Sequence, residues 1–215
     1  MPPYVRPVID ARVFRDADGQ VIDYGNRWGI SAPPEDTYSV ETNLERFSPL
    51  HTIADALITH LSQTFDVEVS HDDAFAGDLL RVPDDVVRVV RVTPKAMNAA
   101  DMTFVFTAYP SVIVHAGTLL DLRHPSCGCD ACDLTWESEA DEMEWEVAAI
   151  ADGYLRESVD SKWFGFSMST PDNQHYGGNT RISPSLAQRV KEAELTLRAL
   201  PNGWESWPRR DVETA

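Results

Sequence analysis

Apolar residues recur at helical spacing in three stretches of the chain. Leu50, Ile53, Ala54, Leu57, Ile58 and Leu61 form one stripe behind Ser48 and Pro49, a capping serine followed by a first-turn proline. The spacing predicts an amphipathic helix over 49–64. His51 and His60 fall off the stripe and read as solvent-facing. Trp136, Ala140, Met143, Val147, Ile150 and Tyr154 predict a second, longer helix from near Asp133 to about Glu157, with Asp133 as its N-cap. Leu186, Val190, Ala193 and Leu197, after Ser183 and Pro184, predict a third.

Elsewhere the pattern is that of strands. Two apolar segments, 8–14 and 21–24, flank the turn Asp16-Ala17-Asp18-Gly19 and predict a β-hairpin. Residues 25–47 read as loop, broken at Pro33-Pro34. A β-branched run over 86–92, an alternating run over 102–107, then 112–115 and 119–122 predict a meander of antiparallel strands, with Gly117 at a bend. Phe164, Phe166 and Met168 alternate in one further strand, and 171–173 and 176–179 read as turns or loop. The fold class expected is α+β: a mostly antiparallel sheet, made of the N-terminal hairpin plus the central meander, packed with about three helices. Residues 1–215 are expected to form a single domain with an irregular tail after about 201, pinned to the body by Trp204 and Trp207.

Composition narrows the class. With 215 residues, 43% hydrophobic and 25% charged, the chain has the make-up of a globular domain. It has no apolar run near the roughly 18 to 20 residues that a membrane helix needs, and no basic-then-apolar start, so no signal peptide is expected. Thirty-five acidic against 18 basic side chains leave a net charge of −17. That field repels nucleic acid and anionic membranes and favours a basic protein partner. The 3 cysteines all fall within six residues, unlike the even, scattered set of a secreted scaffold, which points to the cytoplasm.

The unusual chemistry lies in His124-Pro125-Ser126-Cys127-Gly128-Cys129-Asp130-Ala131-Cys132. Zinc takes four tetrahedral ligands, chiefly Cys and His. Cys127, Cys129, Cys132 and His124 provide that set from one loop, and Gly128 allows a sharp turn between two of the thiols. Asp130 or a distant histidine is a substitute for His124, because four ligands within nine residues are tightly spaced. Between Arg123 and Arg156 there is no Lys or Arg, while acids crowd the interval, so without a cation the thiols are expected to stay protonated. Other readings remain open: packed thiols without metal, a Cys129–Cys132 redox pair ahead of a helix, or a catalytic metal.

No phosphate loop, dinucleotide-binding motif, His-Glu-x-x-His or nucleophile elbow occurs. His115 and His175 read as structural or surface histidines. At Cys127-Gly128-Cys129-Asp130-Ala131-Cys132-Asp133 the chain resembles a family of mainly actinobacterial proteins defined as a domain of unknown function. Val90-Arg91-Val92-Thr93-Pro94, Phe104-Val105-Phe106-Thr107 and His115-Ala116-Gly117 extend the resemblance over most of the chain. It implies a compact cytoplasmic bacterial protein and assigns no catalytic residue. The function expected is a non-enzymatic binding or interaction module carrying a structural zinc. The alternatives are a small metal-dependent hydrolase or thiol redox protein, with His115, His124 or His175 facing a pocket beside the cysteine loop, and an immunity or antitoxin-like protein.

Overall fold

The computed structural model describes residues 3–10 and 12–211. Ala11, within the predicted first strand, and both chain ends of the expected 1–215 domain lie outside the described residues. Among the described residues, three α-helices, α1 (Pro49–Thr64), α2 (Trp136–Ala151) and α3 (Ala187–Arg198), accompany eight strands. β1 (Val67–His71), β2 (Val86–Pro94), β3 (Met102–Thr107), β4 (Val112–Ala116) and β5 (Leu120–His124) form one antiparallel sheet in chain order. β6 (Leu155–Val159), β7 (Trp163–Ser169) and β8 (His175–Arg181) form a second antiparallel sheet. The class is α+β, as the pattern predicts.

The main core lies between one face of the larger sheet and helices α1 and α2. Leu50, Ile53, Leu57 and Leu61 of α1 and Met143, Val147 and Ile150 of α2 meet Phe104, Phe106, Val112, Val114 and Leu122. The opposite face buries Val89, Val105 and Ile113 under a 3-10 turn, Asp73–Asp78, through Ala76 and Leu79. β3 and β4 are thus buried on both faces, which explains why they carry so few polar residues. Trp204 and Trp207 are buried, and the Trp207 indole N–H donates to the Ala100 carbonyl at 2.9 Å.

Several elements differ from the sequence pattern. Among the described residues, the N-terminal hairpin is a turn closed by one antiparallel bridge, Arg15 to Val21, because Val8, Val13 and Val21 face solvent with no sheet to cover them. Helix α2 begins two residues later than expected: Asp133 adopts φ 52°, and the Thr135 side chain caps the helix by accepting from Ser138 N–H at 3.1 Å. It also ends earlier, at Ala151, because Gly153 takes φ +79° and the chain turns into β6. β8 occupies what reads as turn. Its Gly177 lies against Phe166 O, where a Cβ would approach to 2.8 Å, so the glycines permit close strand pairing rather than a bend. β1 has no counterpart in the pattern. Among the described residues, no helix is long and apolar enough to cross a membrane.

Candidate metal centre

The loop after β5 leaves the sheet through a cis His124–Pro125 bond and returns to the chain body at Thr135. It is held from outside itself. The Asp130 carboxylate accepts from the Thr42 backbone N–H at 3.1 Å and from its hydroxyl at 2.8 Å. Asp130 N–H donates to Val40 O at 2.7 Å, and Ala131 N–H donates to Thr37 O at 3.1 Å. Arg46, only 4% exposed, donates to the Gly128 carbonyl at 2.9 Å and also to Thr42 O. Its guanidinium lies over the Tyr24 and Phe47 rings, 4.5 and 4.3 Å from their centroids. The segment that reads as loop, 25–47, is thus the cradle for the cysteines.

Gly128 is demanded by contact. A Cβ there would stand 1.5 Å from the Tyr109 hydroxyl. With that space closed by Tyr109 and with Asp130 and Arg46 fixing the backbone, the three sulfurs converge. Cys127 Sγ lies 3.3 Å from Cys129 Sγ, which lies 3.2 Å from Cys132 Sγ. All three are mutually within 4.8 Å. Sulfurs bound to one zinc at about 2.3 Å would stand roughly 3.8 Å apart, so the trio is already gathered to that scale. No disulfide links them; Cys127 and Cys129 are half-buried and Cys132 is exposed.

Burial raises the Cys129 thiol pKa, but hydrogen bonds from Cys132 and Cys127, and from the Ser39 backbone, outweigh it, and the net shift is downward. Cys132 moves the other way: hydrogen bonding with Cys129, then with Cys127, pushes it up to about 12, with burial adding to the rise. The thiols thus perturb one another through their own hydrogen bonds. Arginines absent from the local sequence reach the loop from a distance. Arg27 comes within 3.8 Å of Asp130 and 3.9 Å of Asp133, and Arg46 lies against Gly128.

His124 is not gathered with the sulfurs. Its ring turns toward α2, with Nε2 2.9 Å from Glu146 Oε2 and Nδ1 3.8 Å from Glu139 Oε2. It clusters with Glu139 and Glu142 instead. The physical reason is charge: buried carboxylates on α2 hold the imidazole more strongly than thiols do, and burial, outweighed by Glu139 and Glu146, leaves its pKa raised to about 9. Asp130 is likewise engaged, by Thr42, and does not complete the sulfur set.

A cleft of about 460 Å³ adjoins the loop, lined by Glu41, Asp85, Tyr109, Ser111, Arg123 and Cys127 among others, and no histidine faces it. His115 instead lies in a different cleft, where its Nδ1 is 2.7 Å from Asp121 Oδ1. His175 lies at the start of β8, 2.8 Å from the Ser169 hydroxyl. The catalytic arrangement weighed from the sequence, histidines around a pocket beside the thiols, is therefore not assembled. The residues that sequence reasoning missed are Arg27 and Arg46, whose partners in the cysteine loop lie more than 80 positions away, and Glu139 and Glu146, whose burial is invisible in an acidic helix. The one signal for the latter was their shared helix face with Glu142.

Comparison with known proteins adds one match. The model of a Family of unknown function (DUF6226) matches residues 10–211. No curated protein and no solved structure matches the chain.

Proposed function

The chain belongs to that family of unknown function, so its role has to be read from its own residues, and we propose that it is a metal-binding interaction module. In this reading Cys127, Cys129 and Cys132 hold a structural zinc. The single observation that carries it is the convergence of three thiols within 4.8 Å on a loop held by side chains from elsewhere in the chain. Thiolates favour soft or borderline ions, and zinc among them needs no redox partner. A chain net charge of −17 also favours a cation over an oxidant-driven thiol exchange.

Three ligands leave a fourth tetrahedral position on the exposed side of Cys132. Water or a donor from a bound partner completes it. The same acidic surface suits a basic protein partner, whose association would be steered by charge and slowed by salt. The adjoining cleft presents the carboxylates of Glu41 and Asp85 and no histidine, so it lends nothing to the histidine-based hydrolase weighed from the sequence.

The test is metal content with thiol counting. Protein purified without an affinity tag should carry zinc and show its three thiols shielded from a disulfide reagent until a chelator is added. Cys129→Ser should lose that zinc. Three freely reactive thiols before chelation, with unchanged heat stability after it, would remove the metal reading and leave packed thiols.

A further inference from the structure

Helix α2 carries a second group of ligand-type side chains that the thiol site does not use. Glu139, Glu142 and Glu146 fall at i, i+3 and i+7 and share one helix face. His124, at the end of β5, points into that face. Donor atoms of His124, Glu139 and Glu142 lie within 4.8 Å of one another. His124 is 2% exposed, Glu139 1% and Glu146 5%, while Glu142 sits at the solvent edge.

Two observations separate this group from an ordinary buried ion pair. First, the charges do not balance. Two buried carboxylates face one imidazole, and among the described residues neither carboxylate pairs with a Lys or Arg. An uncompensated buried charge is expensive. Second, the ring is unpartnered: both imidazole nitrogens of His124, 2% exposed, are buried without a hydrogen-bond partner, although Glu146 Oε2 stands 2.9 Å from Nε2.

We propose that His124, Glu139 and Glu142 form a second cation site, for a first-row divalent ion such as manganese or zinc. Imidazole with carboxylates is the ligand set such ions take, and it differs from the thiolate set in the neighbouring loop. Ser126 N–H, donating to Glu139 Oε2 at 2.9 Å, fixes that carboxylate from the loop that carries the cysteines.

The experiment uses the full chain in the variant Cys127→Ser/Cys129→Ser/Cys132→Ser, which removes the thiols and makes the outcome independent of the zinc reading above. Manganese(II) and zinc(II) are titrated separately, the first followed by loss of its free-ion paramagnetic resonance signal, the second by calorimetry. One equivalent of at least one ion should bind, and nitrogen modulation in the pulsed spectrum of bound manganese should report the imidazole. Glu142→Gln, at an exposed position that leaves the core intact, should weaken binding by about tenfold or more. Absence of binding by both ions, or equal binding by Glu142→Gln, would overturn the site and leave His124 and Glu146 as an ion pair alone.

Discussion

At the scale of single residues, the thiol loop depends on one missing side chain. A Cβ at Gly128 would collide with Tyr109 at 1.5 Å from its hydroxyl and 2.8 Å from Cζ. Gly128→Ala should lower stability by about 1–3 kcal/mol in urea unfolding and weaken zinc binding. Adding Tyr109→Phe should restore part of both, since the nearest atom is then gone. Glu157 offers a separate check by pH. It is half-buried and accepts from the Trp204 indole at 2.7 Å and from Leu119 N–H at 2.7 Å, yet desolvation outweighs these donors and raises its pKa above the ordinary 4.5. A raised carboxyl stabilises the fold while protonated, and that contribution is lost as pH climbs through the folded-state value. The stability of the native chain relative to Glu157→Gln should therefore fall as pH rises from 4.5 towards neutrality, as urea midpoints would show. A difference that stays constant over that range would refute the assignment. Gly128 was legible in the sequence as a turn residue; that Tyr109 demands it was not, because the two are far apart in the chain.

At the scale of elements, α2 and the segment 25–47 decide where the chemistry sits. Helix α2 starts at its Thr135 cap, and Thr135→Ala should cost about 1 kcal/mol by thermal or urea unfolding. Removing the Asp133 side chain should leave the helix start intact and instead free Arg27, whose backbone N–H donates to it at 2.9 Å. Arg46 braces the loop by donating to carbonyls of Gly128 and Thr42. Arg46→Met should cost about 3 kcal/mol, because buried carbonyls lose a charged donor, and should reduce zinc affinity measured against a competing chelator. The apolar stripes of α1 and α2 and the alternation of β3 announce themselves because they bury one face or both. β8 did not, since its residues are mostly exposed and its glycines mimic turn composition. β6 reads as part of the preceding helix because Tyr154 continues the apolar spacing beyond the real stop at Gly153.

At the scale of the whole molecule, two sheets and three helices place a thiol loop and an acidic helix face side by side. The three cysteines were visible at once, whereas their environment was not. Local sequence surrounds them with acids, and the fold then brings Arg27 and Arg46 to the same loop from beyond 80 positions. His124 shows the converse. Proximity in sequence suggested a ligand for the cysteine metal, and the fold turned it to Glu146 because β5 ends against α2. The central claim is that the sulfurs bind one ion together. The most direct measurement is zinc-edge X-ray absorption on the chain loaded with one equivalent of zinc. Three sulfur scatterers at about 2.3 Å with one lighter neighbour are predicted. A first shell of nitrogen and oxygen alone would contradict it.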